Sequence, residues 1–198
     1  MAQFFFLGFL GFTIFAITHA IGGLFFAQDI QGLKNVLSIG SLFRAIGLTF
    51  YSYLIFYMFR SKMNPMIGVA IVAVISLIAV YLVITAPYEP SPYLENNRSI
   101  NWGMQPSADF VSYGLYMAIL IPLVVIFAKQ MKSADYFVKN RAFGFLAIFG
   151  SGLMVVFFSY FIHGAIGADM ATFVSSLLIL IFFFATMKKM PAIDKRLK

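Results

Sequence analysis

The chain has 198 residues, of which 62% are hydrophobic and 11% are charged, and its mean hydropathy is +0.92. Soluble domains carry about 25% charged residues, so this chain has too few of them to cover itself with a hydrated surface. The sequence contains no cysteine, which excludes disulfides, thiolate metal sites and thiol catalysis. The composition therefore predicts an integral membrane protein, and we expect it in the cytoplasmic or inner membrane of a prokaryote.

The positive charge of the chain has two interpretations. A formal net charge of +7 is compatible with nucleic-acid binding, but no segment has the composition of a soluble domain that would carry out such binding. We therefore expect no nucleic-acid partner. The charge is interpreted instead as the marker of one side of a membrane, because basic loops stay on the cytoplasmic side.

Six apolar runs are long enough to cross a membrane, since a spanning helix needs about 20 mostly apolar residues. The sequence predicts an all-α, six-transmembrane-helix bundle in a single polytopic domain over residues 1–198, with helices near 4–26, 37–59, 65–86, 109–128, 142–166 and 169–187. No basic residue precedes the first run, so we interpret it as a helix and not as a cleavable signal peptide. Asn64 and Pro65 predict the start of the third helix.

Charge divides the connecting segments into two groups. Lysine and arginine concentrate between the second and third helices, in the inner loop 129–141 and in the basic tail 188–198. Most of the acidic residues lie in the outer loop 88–108 or beside the outer ends of helices. This alternation predicts that both termini are cytoplasmic, an N-in/C-in topology. Trp102 is expected at the membrane interface, and Tyr136 and Phe137 are expected at the headgroups.

Three ionisable side chains fall inside the predicted helices: His19, Arg44 and His163. An ionisable side chain within a membrane is costly and by default indicates a functional site. Each of the three shares a helical face with small residues, which line contacts between membrane helices. The topology places all three in the outer half of the membrane, and we expect them to face the interior of the bundle.

Three kinds of ligand site fit these residues. His19 and His163 are candidate axial ligands of a haem whose propionate pairs with Arg44. The two imidazoles together with Asp169 or Asp109 are a weaker candidate for a metal site, because their spacing follows no known ligand motif. The third possibility is an anion or polar-solute pocket in which Arg44 is the fixed charge.

A simpler interpretation stands beside these. Each imidazole would donate a hydrogen bond to a nearby carbonyl or hydroxyl group, for example that of Thr18 or Ser159. Asp169 and Asp109 would stabilise the starts of helices, where a carboxylate meets the positive end of the helix dipole.

The small number of ionisable side chains inside the predicted helices favours a protein that is not an enzyme on its own. Ser159 and His163 lie one turn apart, but no third residue orients the base and no nucleophile elbow is present. The leading hypothesis is a non-catalytic subunit of a larger, energy-transducing membrane complex, with an outward-side site of His19, Arg44 and His163 that binds haem, quinone or lipid. The expected partners are the lipid bilayer and other membrane subunits or further copies of the chain. The alternative is a transporter or solute-binding component, such as a substrate-capture subunit.

Overall fold

A computed structural model describes residues 2–58, 64–85, 93–94, 100–102 and 106–161. Within these residues five helices are long and apolar enough to cross a membrane: α1 (Ala2–Phe25), α2 (Ile30–Met58), α3 (Pro65–Thr85), α4 (Pro106–Gln130) and α5 (Tyr136–Phe161). A short antiparallel pair, β1 (Tyr93–Leu94) and β2 (Ile100–Asn101), lies within the predicted outer loop. The prediction of an apolar, membrane-type helical chain is confirmed for these five helices. The predicted sixth helix at 169–187, together with His163 and Asp169, lies outside the described residues.

Two helices begin six or seven residues earlier than their predicted apolar runs. α2 begins at Ile30 and not near 37, and α5 begins at Tyr136 and not near 142. In both cases an aspartate precedes the helix and caps it. The Asp29 carboxylate accepts a hydrogen bond from the Gln31 amide at 3.0 Å, and the Asp135 carboxylate accepts one from the Phe137 amide at 2.8 Å. Hydropathy did not indicate these helix starts because the first turn of each helix is polar. As a result, much of the predicted inner loop 129–141 is helical.

The start of α3 is as predicted. Pro65 is its first residue, and the Asn64 side-chain oxygen accepts a hydrogen bond from the Met66 amide at 3.0 Å. Asp109 lies in the first turn of α4, where its negative charge meets the positive end of the helix dipole. Hydrophobic runs and capping residues therefore predict these boundaries well when both signals coincide.

The described chain forms two compact units. The first contains α1, α2, α3 and α4 as far as Ile119, and the second contains α4 from Leu120 onward together with α5. In the second unit the buried ring of Phe127 stacks on that of Phe149 with centroids 5.6 Å apart. The candidate site described below lies entirely in the first unit.

Glycines allow α1 and α2 to touch along most of their length. Gly8 packs against Tyr51 near one end of the contact and Gly22 packs against Val36 near the other, so the two helices run antiparallel. The middle of the contact is formed by backbone, because a Cβ atom on Gly11 would lie 2.9 Å from the backbone nitrogen of Gly47. Small residues at such positions are typical of contacts between membrane helices.

The α2–α3 pair also runs antiparallel. Gly68 at the start of α3 packs against Phe56 near the end of α2, whereas Val83 near the end of α3 shares a buried cluster with Leu37. Ala108 at the start of α4 belongs to the same cluster. The end of α3, the start of α4 and the first half of α2 therefore lie together at one end of this unit.

The exposed side chains of these helices are mostly apolar. In the most apolar stretch of α1 only 11% of the residues are buried, and Leu24 and Phe25 are 77% and 75% exposed. Soluble monomers rarely expose apolar patches of this extent. A lipid environment accounts for such helices, since it replaces the aqueous solvent that these side chains avoid.

The close approach of α1 and α2 predicts a specific sensitivity to substitution. Gly11→Ala places a methyl group 2.8 Å from the Phe43 carbonyl oxygen, and backbone cannot move aside as a flexible side chain would. We expect the substitution to lower the free energy of unfolding in detergent by about 1–3 kcal/mol. Gly114→Ala is the control, because a Cβ atom there meets no described atom within 4 Å. Equal effects of the two substitutions would contradict the close contact.

Candidate functional site

Arg44 lies in the middle of α2 and is buried, with 8% of its surface exposed. Its burial agrees with the inward orientation expected from the small residues on the same face. The Nη2 atom donates a hydrogen bond to the hydroxyl oxygen of Ser112 on α4 at 3.1 Å. Hydrogen bonds that involve a charged group are stronger than neutral ones, so this bond fixes the guanidinium between the two helices.

Two aromatic rings lie beside the same guanidinium. Its Cζ atom is 5.4 Å from the ring centroid of Tyr116 and 5.8 Å from that of Phe15. At these distances the ring faces attract a cation. The described contacts of Arg44 thus include the Ser112 hydroxyl and the side chains of Tyr116 and Phe15, and none of these groups is a carboxylate.

His19 is oriented by its own helix. The Nδ1 atom lies 3.1 Å from the carbonyl oxygen of Phe15, and a carbonyl oxygen only accepts, so Nδ1 carries the proton and donates. In the neutral ring the Nε2 atom then holds the lone pair. His19 therefore makes the hydrogen bond to a nearby carbonyl group that the simpler interpretation expected, and the carbonyl belongs to α1. The second ring nitrogen, Nε2, is still able to accept a hydrogen bond or to bind a metal.

The His19 ring is enclosed by neighbouring side chains. It lies 4.4 Å from the ring centroid of Trp102 and 4.3 Å from that of Phe15. A Cβ atom on Gly40 would lie 2.7 Å from its Cε1 atom, so the ring packs directly against the backbone of α2. Because Phe15 also contacts Arg44, one aromatic side chain links the two ionisable groups.

The structure brings two of the three predicted site residues into one neighbourhood, His19 and Arg44. His163 lies outside the described residues, so the two-histidine haem site stays a prediction. Among the described residues, no three His, Cys, Asp or Glu side chains are grouped to hold a metal ion. Asp109 is found in the first turn of α4, and Asp169 lies outside the described part.

A small cavity lies beside Arg44. It is lined by hydroxyl groups and apolar side chains from three helices: Ser41, Ala45, Leu48, Ser76, Ala79, Val80, Ser112 and Leu115. The space open to the centre of a water-sized sphere is about 10 Å³, close to what one water molecule needs. The hydroxyl oxygens of Ser41 and Ser76 are buried and have no hydrogen-bond partner among the described residues.

Sequence reasoning missed several residues of this neighbourhood. Trp102 was predicted at the membrane interface, and sequence reasoning did not anticipate that it packs on His19 and against the cluster around Leu37. Ser112 was not singled out, and neither was Ser76. A usable signal existed for Ser76, because a serine in the middle of an otherwise apolar helix is a candidate for contact between helices.

The neighbourhood offers hydrogen-bond donors and a positive charge, held by a buried framework. Such a set suits a ligand group that accepts hydrogen bonds or carries negative charge. No model of a protein family, no curated protein and no solved structure matches the chain.

The Arg44–Ser112 hydrogen bond predicts a measurable contribution to stability. Ser112→Ala leaves the buried guanidinium without its described hydroxyl partner, and we expect the free energy of unfolding to fall by about 1.5–3 kcal/mol. Ser52→Ala is the matched control, since Ser52 is equally buried but its hydroxyl bonds to the Thr49 carbonyl of its own helix. That change should cost about 1 kcal/mol or less. Chemical unfolding in detergent measures both, and a smaller loss for Ser112→Ala would count against the bond.

Proposed function

We propose that the chain is a non-catalytic integral membrane subunit of a larger, energy-transducing complex, with six spanning helices and both termini in the cytoplasm. Its polar site around Arg44 and His19 binds a ligand that supplies a negative charge or a hydrogen-bond acceptor. A haem propionate, a quinone carbonyl and a lipid headgroup each have this chemistry. The site lies toward the outer surface in the proposed topology.

One observation carries this proposal, namely the buried guanidinium of Arg44 with only uncharged groups among its described contacts. Arginine remains protonated in proteins, and a charge held in a low-dielectric interior is strongly unfavourable unless it is paired. Hydroxyl groups and ring faces orient the guanidinium but do not neutralise it. A ligand or a partner subunit that presents an acceptor group supplies what these contacts lack.

The orientation of His19 is compatible with a cofactor. Histidines that bind metals usually donate their second ring N–H to a carbonyl or carboxylate, which fixes the ring and makes the ligating nitrogen more basic. The bond from Nδ1 to the Phe15 carbonyl provides this arrangement. In the haem version of the proposal, Nε2 of His19 and a nitrogen of His163 would be the axial ligands.

The exposed apolar faces support membership of an assembly. The outward side chains of α1 include Phe6 and Phe9, which are 61% and 47% exposed. Such an apolar face is covered either by lipid or by a neighbouring subunit.

The second candidate is a solute-binding or transporting membrane component. The observation in its favour is the cavity beside Arg44, with its two hydroxyl oxygens that lack a described partner. Sites for small molecules are mostly apolar pockets with a few precisely placed polar groups, and this cavity has that kind of lining.

An oxidised-minus-reduced optical spectrum of the purified protein tests the cofactor version. We expect haem bands that are lost in both His19→Ala and His163→Ala, because each would remove one axial ligand. Ile17→Ala is the control, since that side chain is 52% exposed on the same helix and should leave the bands unchanged. Solvent extraction with mass spectrometry examines the same samples for quinone and lipid. A protein with no chromophore and no co-purifying quinone or lipid would contradict the cofactor version and favour the solute-binding candidate.

Single cysteines test the proposed orientation without background, because the sequence has none of its own. A membrane-impermeant maleimide applied to intact spheroplasts should label Asn97→Cys in the outer loop. It should label Ala134→Cys, an exposed position between α4 and α5, only after the membrane is permeabilised. The opposite pattern would invert the topology derived from the positive charges.

A further inference from the structure

We propose that the cavity lined by α2, α3 and α4 binds one monatomic inorganic anion of halide size, which neutralises Arg44. The inference rests on the proposed function, because it names a ligand of the same polar site. In the cofactor version a group of the cofactor pairs with Arg44, whereas here the negative charge belongs to a small ion held by serine hydroxyls. The ion is bound and not transformed, so its role is to complete the interior of the first compact unit.

Arg44 is 8% exposed and its described contacts are uncharged. A water molecule in the cavity would satisfy hydrogen bonds but would leave the guanidinium charge uncompensated. An anion does both, and the attraction between opposite charges is large where the surroundings are apolar.

The hydroxyl oxygens of Ser41 and Ser76 are 0% and 2% exposed at the residue level and have no partner among the described residues. Leaving a buried hydroxyl unpaired is unfavourable, and each hydroxyl proton is free to rotate toward the cavity. Together with the guanidinium, these groups supply donors from two helices to one cavity. Ser112, which accepts from Arg44, still has its own proton to donate.

The cavity offers about 10 Å³ to the centre of a water-sized sphere, which is room for a single small species. A phosphate or sulfate ion, with four oxygens around its central atom, needs more than this. The apolar part of the lining, including Leu48, Val80 and Leu115, also disfavours a hydrated polyatomic ion. A halide is the anion that combines one charge with the dimensions of one atom.

Thermal unfolding of the purified full chain in sodium chloride tests the proposal, with sodium gluconate keeping the ionic strength constant. We expect the unfolding midpoint to rise with chloride and then to saturate, because a ligand that binds only the folded state stabilises it. Bromide should raise the unfolding midpoint in the same way, whereas gluconate should not, because it is too large to enter the cavity. Direct binding is measured by broadening of the chloride NMR signal on wild-type protein, which requires no variant to fold.

Variants then assign the effect to the cavity. Ser41→Ala and Ser76→Ala should each raise the half-saturating chloride concentration by about tenfold, the equivalent of one hydrogen bond to a charged group. Arg44→Met should abolish the chloride response. Ser52→Ala should leave it unchanged, since that hydroxyl is engaged by its own helix.

Two results would overturn the proposal. The first is a wild-type protein whose stability and chloride NMR signal are independent of halide, which would assign one water to the cavity. The second is a chloride response that appears only in Asp169→Asn, which would assign the counter-charge to the chain's own carboxylate. Failure of this proposal is distinguishable from failure of the proposed function, because haem bands without a chloride response would reject the anion alone.

Discussion

The backbone contact between α1 and α2 is the constraint on which the candidate site depends. At Gly11 and Gly47 the two helices approach so closely that neither position has room for a Cβ atom. This approach presses the His19 ring onto Gly40 and brings Phe15 within reach of Arg44. The positions of the two ionisable groups are therefore coupled through the helix pair. A change that separates α1 from α2 would move His19 away from Arg44 even though it touches neither side chain.

The groups that hold the Arg44 guanidinium in a fixed orientation do not neutralise its charge. The hydrogen bond to Ser112 and the face of Tyr116 hold the guanidinium in place, and both partners are uncharged. Removing a buried charge and replacing it with an apolar side chain of similar volume is often neutral or stabilising. Stability alone therefore gives no physical reason for an arginine at this position. A requirement to bind an acceptor group does give one, because the planar guanidinium presents several donors in a fixed geometry.

Hydropathy predicted the described helices, and the spacing of small residues predicted that Arg44 faces inward, because both features are local and periodic. Local patterns were less informative where a helix begins with a polar turn, as α2 does after Asp29 and α5 does after Asp135. They also gave no indication that Trp102 would pack on His19. That contact joins a loop to a helix far away in sequence, and it depends on how the ends of α2, α3 and α4 come together.

The geometry around Arg44 also bears on whether a cofactor and a small anion exclude each other. The serine-lined cavity belongs to α2, α3 and α4, whereas Phe15 and His19 belong to α1. A guanidinium has five N–H donors in one plane, and one of them is used by Ser112. The donors that remain would allow the proposed anion and a second proposed acceptor group to bind the same guanidinium. A bound anion would partly neutralise Arg44 and so weaken its attraction for a charged ligand more than for a neutral quinone carbonyl. Occupancy of the cavity would therefore select among the three ligand classes by their charge.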